Sequence, residues 1–544
     1  MRYVIVNGFL LLALMPASAF GQTVWAGLTT YGGSSYDANF GMDIMGDKIV
    51  QTLFSTSYQV SSGTGTDFIV MVNNPAGGSY WETLVGKPDT NEWAYDVAFL
   101  TDGNAVVAGV SCIPNNGDPT RCIYNGRGFI IKLNQADGSI MWSKMLTDAW
   151  GNADVWLRIF DVEATSDGGF VVGGEIEYSS YDRDAFVAKF GSDGALQWSR
   201  IYGTSRNQWI NSVFETADGN IVAIAPVFDE VWIGKMDATN GSLLWQRSYG
   251  RNTNGGRVFF AWAYPTSDGG FILAHEIEGS NGDKDILFLK FDSEGIMQSV
   301  SQIGTTGGLD DAGVDVVEGN NYYYITGLIR RDPNTDIGDL FIGYIDKTTG
   351  KPYIVRYILS SSDEQGRAID ISVTDTTEVP YVAGYTNNST WTAGFYDGLL
   401  AADSGTIDTC YWRTAVDTFF LTPSINVSLG GWYVYSSSGI LVNDATYPSL
   451  AINTANSVTC GILTPLRTDE RYQDCRLSVE LTKNMLTIKA RDGSDIRFQL
   501  LTPSGRTLLS REYIGVSHIR EYLNLKPGIY ILRVNETVHK FVVR

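Results

Sequence analysis

The sequence predicts an all-β protein, a β-propeller followed by a small immunoglobulin-like β-sandwich. Short runs of Val, Ile, Tyr, Phe and Trp alternate with 59 Gly, and only 18% of the residues are charged. This composition is typical of strands joined by tight turns. Three phrases recur in a fixed order along most of the chain, and the balance of charge changes sign near residue 476. The repeats predict the propeller, and the change of charge marks a second domain.

The first phrase is a turn followed by a short apolar run. Asp-Gly supplies the positive φ of a tight turn, and the run after it fits a buried strand. Copies occur at residues 101–109, 166–174, 217–225, 267–275 and 318–327. The acids of four copies recur at equivalent turn positions, which indicates a requirement of the turn rather than a catalytic role. These acids are Asp102, Asp167, Asp218 and Asp268.

The second phrase is an alternating strand that an acidic residue usually opens. Its seven copies start 46 to 62 residues apart, at residues 66, 128, 184, 230, 285, 339 and 397. The third phrase uses a Gly to turn the chain into an outer strand, and a Trp follows that Gly by four residues. We therefore expect Trp142, Trp198 and Trp245 to occupy equivalent outer-strand positions.

Units of roughly 50 residues with three or four short strands cannot bury both faces alone, so neighbouring units must stack. Radial stacking gives a β-propeller, with the indoles packed between blades. The phrases favour seven blades. Eight blades are the alternative, because residues 429–438 resemble a decayed first phrase and residues 449–454 a decayed second. Residues 24–33 look like an orphan third phrase that would close the eighth blade.

The N-terminus predicts a secretory signal peptide over residues 1–21. Arg2 precedes an apolar run, and Ala17-Ser18-Ala19 offers a small-residue cleavage site. A membrane anchor needs about 20 apolar residues, whereas this run is interrupted by Asn7 and Gly8. We expect no transmembrane segment elsewhere.

Export makes disulfides feasible for the five cysteines. Cys112 and Cys122 flank a loop rich in Pro, Asn and Gly, so we expect them to be bonded. Cys460 with Cys475 is the next pair, which leaves Cys410 free, and Cys410 with Cys460 is the alternative. No C-x-x-C spacing and no Cys/His cluster occurs, which argues against structural zinc.

Charge divides the chain into an acidic body and a basic tail. Residues 476–544 hold 12 Lys and Arg against 6 Asp and Glu, whereas the rest of the chain holds 27 against 54. We predict a propeller over residues 22–413, a linker or degenerate additional blade over residues 414–475, and a tail domain over residues 476–544. A strongly acidic body repels nucleic acid, so we expect no nucleic-acid partner.

The tail carries a specific set of residues in a fixed order. An apolar strand precedes Gly505 and Arg506, a second strand begins with Pro527, Gly528 and Tyr530, and Lys540 precedes the closing "FVVR". This pattern resembles the type A C-terminal sorting domain of the type IX secretion system (Por secretion system) of Bacteroidota and their relatives.

The resemblance of the tail implies both a route and a location. The route is Sec export to the periplasm followed by passage through the type IX secretion machinery, which would recognise the tail. The mature protein would then be secreted or held at the cell surface. The residues named above are the sorting signal that the resemblance implies.

The body carries a weaker resemblance. Its phrase of Asp, Gly and Trp resembles the repeat of pyrroloquinoline-quinone-type propellers. Alcohol dehydrogenases of that class carry adjacent cysteines beside the cofactor, and no two cysteines are adjacent here. We therefore expect no quinone and no other organic cofactor.

The body offers few residues for catalysis, and we assign no catalytic residue. His275 is its single histidine, so neither a His-based triad nor a two-His metal site can form in the body. D-x-D pairs before two strands could supply oxygen ligands to calcium, although turn and strand-entry roles are the simpler interpretation. These calcium candidates are Asp182, Asp184, Asp283 and Asp285.

Two functions follow from these observations. The sequence favours a non-enzymatic propeller that binds a glycan, a protein or a matrix component through loops at one face. The alternative is a secreted carbohydrate-active or other hydrolase that uses propeller carboxylates. Acids and aromatics lining one mouth of the channel would favour the hydrolase, and a filled channel with an aromatic outer face would favour the binding protein.

Overall fold

The structure is a computed structural model that describes residues 28–543 except for short segments, and beyond Asp403 mainly through the backbone. The excluded segments are residues 33, 61–64, 76–77, 116–117, 149–154, 180–181, 204–206, 228–229, 252–260, 279–282, 306–308, 331–337, 359–362, 374–377, 388–395, 404–411, 415–417, 422–424, 430–432, 437–439, 445–448, 452–454, 461–470, 474–476, 483–484, 491–495, 502–506, 514–517, 523–527 and 535–536. The chain divides into one unit over residues 27–459 and another that contains residues 460–544.

Seven antiparallel sheets of the first unit are the blades of a propeller. The first strand of the chain is β1 (Leu28–Tyr31). Blade 1 consists of β2 (Asp37–Met45), β3 (Lys48–Ser55), β4 (Asp67–Asn73) and β5 (Ser79–Val85), blade 2 of β6 (Asn91–Phe99), β7 (Ala105–Asn115), β8 (Asp118–Leu133) and β9 (Ile140–Asp148), and blade 3 of β10 (Trp156–Ala164), β11 (Phe170–Ser179), β12 (Asp182–Phe190) and β13 (Leu196–Gly203).

The remaining blades repeat this order from the channel outward. Blade 4 consists of β14 (Ser212–Glu215), β15 (Ile221–Val227), β16 (Glu230–Met236) and β17 (Leu243–Arg251), and blade 5 of β18 (Ala261–Pro265), β19 (Phe271–Glu278), β20 (Lys284–Phe291) and β21 (Met297–Thr305). Blade 6 consists of β22 (Ala312–Glu318), β23 (Tyr322–Arg330), β24 (Gly338–Asp346) and β25 (Pro352–Ile358), and blade 7 of β26 (Glu364–Val373), β27 (Glu378–Thr386), β28 (Asp397–Ala402) and β1.

The predicted phrases occupy the same strands throughout. The first phrase forms the second strand of its blade, and the second phrase forms the third strand in all seven blades. The third phrase forms the fourth strand. Seven blades are therefore confirmed, and the eight-blade alternative is wrong.

The N-terminal strand closes the ring. Strand β1 pairs with β28, from Leu28 opposite Ala401 to Tyr31 opposite Gly398. The orphan third phrase at residues 24–33 therefore does close a blade, but that blade is the seventh. Because β1 comes from the start of the chain and β26–β28 from near its end, this pairing joins the two ends of the ring.

A run of seven short strands, which we call the belt, adds one strand to the outer edge of every blade. The belt consists of β29 (Trp412–Thr414), β30 (Thr418–Leu421), β31 (Ile425–Leu429), β32 (Tyr433–Ser436), β33 (Ile440–Asp444), β34 (Ser449–Ala451) and β35 (Ala455–Cys460). These strands pair in turn with blades 6, 5, 4, 3, 2, 1 and 7. The belt thus runs around the propeller against the order of the blades.

The belt corrects the prediction for residues 414–475. That segment was expected to be a linker or a degenerate additional blade, but its strands up to Cys460 join the seven existing sheets and form no sheet of their own. The two stretches that suggested an eighth blade contain β32 and β34. Strand β35 lies beside β1, so the closing strand has a neighbour on both sides.

The repeated tryptophans lie between blades, as predicted. Trp142, Trp198 and Trp245 each pair with a lysine of the preceding strand, namely Lys132, Lys189 and Lys235, so their positions are equivalent. The ring of Trp198 lies against the third-phrase turn of the next blade, where a Cβ added to Gly241 would be 2.5 Å from the indole. Trp198 also donates its Nε1 hydrogen to Ala238 O at 2.7 Å. The Gly and the Trp of the phrase therefore form one contact between successive blades.

This contact predicts that Gly241→Ala destabilises the propeller more than Gly219→Ala. Both glycines have a positive φ, 70° and 78°, so both substitutions carry a backbone cost of about 1 kcal/mol. Only at Gly241 would the new methyl group meet a tryptophan, because an added Cβ at Gly219 meets nothing within 4 Å. We expect Gly241→Ala to lower the free energy of unfolding by a further 1–2 kcal/mol or so. Urea unfolding of both variants measures the difference, and equal effects would contradict the packing role.

The C-terminal unit contains two four-stranded sheets. One has the order β36 (Arg471–Gln473), β37 (Leu477–Thr482), β38 (Met485–Ala490) and β41 (His518–Tyr522), and the other the order β40 (Thr507–Tyr513), β39 (Ile496–Leu501), β42 (Gly528–Val534) and β43 (Thr537–Val543). All of their described pairings are antiparallel. The immunoglobulin-like packing of the two sheets stays a prediction.

Candidate functional site

The innermost strands of the blades line a central cavity of about 120 Å³. The sequence places carboxyl groups and aromatic rings on these strands at similar positions. The carboxyl groups are those of Asp43, Asp96, Asp161, Glu163, Asp315 and Asp370, and the aromatic rings are those of Phe40, Tyr95, Phe160, Trp262 and Tyr264. Acids and aromatics therefore line this cavity together.

Five of these aspartates join successive blades. The Oδ2 atom of each accepts a hydrogen bond from a backbone N–H of the innermost strand of the next blade. The acceptor–donor pairs are Asp43 with Phe99 at 2.6 Å, Asp96 with Val162 at 3.0 Å, Asp161 with Val213 at 2.5 Å, Asp315 with Ile369 at 2.8 Å and Asp370 with Ile44 at 2.7 Å. In blade 4, Ser212 takes this position and bonds Ala263 of blade 5. These channel carboxyls thus join neighbouring blades of the ring.

Two pairs of these aspartates meet across a blade junction. Asp96 is hydrogen-bonded to Asp161, and Asp370 to Asp43. Burial and the neighbouring carboxylate raise the pKa of Asp96 and of Asp370 well above the usual range. Each pair therefore holds one carboxylic acid that donates to one carboxylate, which avoids two adjacent negative charges.

The buried carboxyls predict that the propeller is more stable near pH 5 than near pH 8. Burial raises the pKa of Asp315 and of Asp311 from 3.8 to about 7. The folded protein then keeps protons that the unfolded chain releases above pH 4, so stability falls as the pH rises from 4 through 7. Urea midpoints across this range measure the fall. Asp315→Asn should flatten the dependence, because an amide does not titrate, and a midpoint that rises toward pH 8 would contradict the assignment.

Glu163 differs from the channel aspartates. Burial and the surrounding aspartates, Asp161 first among them, raise its pKa well above the usual range. No hydrogen-bond partner for its carboxyl occurs among the residues that the structure describes. Glu163 therefore lines the cavity as a carboxyl group whose neutral form is favoured, and it does not join blades.

The turn aspartates of the first phrase have a structural partner that the sequence analysis missed. A buried lysine of the third strand forms an ion pair with each turn aspartate. These pairs are Lys132 with Asp102, Lys189 with Asp167, Lys235 with Asp218 and Lys290 with Asp268. Burial acts to raise the pKa of Asp167, but hydrogen bonds from Lys189 and Thr165 outweigh it and lower the pKa to about 2. The turn role is thus confirmed.

The calcium candidates do not form a metal site in the described part of the chain. Asp184 and Asp285 are buried at the start of their strands, and Asp285 accepts a hydrogen bond from Gln302 at 2.5 Å. Asp283 is partly buried beside the same strand, and the side chain of Asp182 lies outside the described residues. Among the described side chains, no group of three His, Cys, Asp or Glu could hold a metal ion. The calcium hypothesis stays a prediction.

His275 has a structural environment. It is buried in β19, and its Nδ1 atom lies 2.7 Å from Glu276 O. Burial lowers its pKa to about 4, so the ring is neutral at physiological pH.

The structure describes only some of the five cysteines. Cys112 is buried and disulfide-bonded, and the long hairpin of β7 and β8 places Cys122 opposite Pro114. The side chain of Cys122 lies outside the described residues, so its pairing with Cys112 stays a prediction. Cys460 ends the belt, while Cys410 and Cys475 fall in excluded segments.

The predicted sorting residues lie only partly within the described chain. Gly528 and Tyr530 stand in β42, opposite Val543 and Phe541, and Lys540 of β43 lies opposite Ile531. Gly505, Arg506 and Pro527 lie outside the described residues. The structure therefore places the second half of the motif on one antiparallel hairpin.

The chain has only distant similarity to the solved structures reported below. No protein-family model and no curated protein matches the chain. Among solved structures, a propeller of Dos1 is 11% identical over 70% of this chain and 96% of its own, with a TM-score of 0.40. An exo-β-1,3-galactanase from Clostridium thermocellum is 11% identical over 71% and 99%, with a TM-score of 0.32. The NanB sialidase from Streptococcus pneumoniae is 8% identical over 70% and 68%, with a TM-score of 0.36.

Across the residues that the structure describes, no helix is both long and apolar enough to cross a bilayer.

Proposed function

We propose that the chain is a non-enzymatic binding propeller that is exported and works outside the cell. The observation that carries this proposal is the use of the channel aspartates. Five of them accept backbone hydrogen bonds from the next blade, and a carboxylate so engaged is a poor general base or nucleophile. The channel then acts as the structural axis, and the ligand is a glycan, a protein or a matrix component bound at the outer surface.

Binding is tested with the body alone and with the full chain. Both are immobilised and exposed to arrays of oligosaccharides and of extracellular matrix proteins. The proposal expects saturable binding to at least one class, equal for the two proteins because the body holds the site. Binding to neither class would contradict it.

The proposed export route rests on the C-terminal unit. Its basic charge and the motif on β42 and β43 support recognition by the type IX secretion machinery. Deleting residues 476–544 should leave a folded propeller in the periplasm, as measured by cell fractionation and by circular dichroism of the retained protein. Normal amounts of the truncated protein outside the cell would overturn the export proposal.

A hydrolase is the second candidate, and Glu163 favours it. A carboxylic acid whose pKa is raised by burial and by neighbouring carboxyl groups suits a general acid. Turnover of a panel of p-nitrophenyl glycosides that Glu163→Gln abolishes, with the fold intact, would establish this function over the first. The absence of turnover in the wild-type protein at pH 5 and 7 would remove it.

A further inference from the structure

The junction between blades 6 and 7 departs from the repeated packing. At earlier junctions the outer strand packs against the glycine turn between the third and fourth strands of the next blade, as Trp198 does against Gly241. In blade 7, β28 ends at Ala402 and the fourth strand is β1, so no turn of that kind joins them. Tyrosines replace the usual contact at this junction.

Four tyrosines of blade 6 form a continuous cluster. The ring of Tyr353 stacks on that of Tyr322, with centroids 5.4 Å apart and an angle of 28°. Tyr322 in turn meets the edge of Tyr344 at 5.7 Å, and Tyr324 meets Tyr344 at 4.9 Å. Tyr353 is 66% exposed. One face of its ring is therefore supported by Tyr322, and much of the remainder is open to solvent.

Hydrogen bonds to residues of blade 7 hold the cluster in place. The Tyr344 hydroxyl donates to Asp403 of blade 7 at 2.7 Å, and the Tyr324 hydroxyl donates to Glu378. Both tyrosines are buried. The exposed ring thus rests on side chains that are already ordered, which reduces the entropy lost when a ligand binds.

The carboxylates around the cluster are already engaged. Glu378 also accepts the N–H of Asn320 at 2.7 Å, and Asp403 pairs with Arg356 at 2.7 Å. Asp346 accepts the N–H groups of Thr348 and Thr349 in its own turn. A cation over an exposed aromatic face such as that of Tyr353 gains only a small amount of binding free energy. The surface therefore suits a neutral ligand with an apolar face and polar edges.

We propose that Tyr353, backed by Tyr322, is a stacking platform for a pyranose ring of a neutral glycan. The C–H groups on one face of such a ring pack on an aromatic plane, while the tyrosine hydroxyl and nearby backbone groups remain able to bond sugar hydroxyls. This inference rests on the proposed binding function and names its ligand class and site.

The test uses the full chain and three substitutions. The probes are cellohexaose, laminarihexaose and mannohexaose, titrated by isothermal calorimetry. Tyr353→Ala should weaken binding of the preferred hexasaccharide about tenfold, and Tyr353→Phe should retain most of the affinity because it keeps the ring. Tyr80→Ala is the matched control, because Tyr80 has the equivalent place in blade 1 and is 51% exposed but bonds Asp47. It should bind like the wild type.

The outcomes separate this inference from the proposed function. Hexasaccharide binding that Tyr353→Ala leaves unchanged overturns the platform and leaves the binding function standing. Binding of a matrix protein but of none of the hexasaccharides does the same, even if Tyr353→Ala weakens it, because the ligand class is then wrong. Binding of neither class removes both proposals. Equal thermal unfolding of the variants and the wild type shows that any loss is local.

Discussion

Thr30→Pro will open the ring and lower the free energy of unfolding by about 3 kcal/mol, if the propeller folds at all. Thr30 is fully buried in β1 and lies opposite Leu399 of β28. In many sheets a proline is tolerated on an edge strand, where its missing N–H would face solvent. Strand β1 has β28 on one side and β35 on the other, so neither side of this strand faces solvent.

Thr30→Ser is the control for this prediction. Serine keeps the hydroxyl and the backbone N–H and removes one methyl group, so it should cost only about 1 kcal/mol. Urea unfolding followed by circular dichroism compares the two variants. If Thr30→Pro unfolds at the wild-type midpoint, β1 does not close the ring.

The second large effect is expected at the buried ion pair between blades 6 and 7. Arg356 Nε lies 2.7 Å from Asp403 Oδ2, and the two residues are 2% and 0% exposed. Asp403→Ala leaves a buried guanidinium without its carboxylate, which typically costs 3–5 kcal/mol or so. We expect a loss of that size in the free energy of unfolding, measured by urea titration.

A double variant distinguishes the charge from the packing. Arg356→Met combined with Asp403→Leu removes both charges and keeps most of the volume, so it should be more stable than Asp403→Ala alone. The double variant should be the more stable one because the unpaired buried charge destabilises Asp403→Ala more than the missing contact does. A double variant that is less stable than Asp403→Ala would show that the pair acts mainly through its shape and its bond to Tyr344.

Local patterns in the sequence predict the blades because the strands of a blade are neighbours in the chain. The Asp-Gly turns, the alternating third strands and the Gly-to-Trp phrase all lie within one unit of the chain, and each describes a hairpin between neighbours. The same locality explains the lysine that was missed. Lys132 and Lys189 occupy the same position in the third strands of their blades, so the sequence shows a repeated lysine as well as a repeated turn aspartate. Only the structure shows that each lysine reaches the turn aspartate of its own blade, Asp102 or Asp167.

The belt and the channel depend on partners that are distant in sequence. Strand β32 pairs with β13 across more than 200 residues, so no turn or hairpin in the sequence predicts this pairing. An isolated short strand of this kind resembles a degenerate repeat. The channel aspartates follow an aromatic residue in Tyr95-Asp96 and Phe160-Asp161. Only the ring shows that each carboxyl meets an amide of the next blade, because four of these contacts join residues 52 to 66 positions apart and the fifth joins residues 326 positions apart.

The direction of the belt sets the order in which the molecule would come apart under tension. A pull on the chain beyond Cys460 loads β35 first, and because the belt strands have only three to six residues each, they would detach one after another. The first blade to lose its outer strand is the seventh, where detachment turns β1 into an unprotected edge, and the sixth is the last. A tether attached at the C-terminal side therefore acts first on the blade that closes the ring, whereas a load spread over the blades would not.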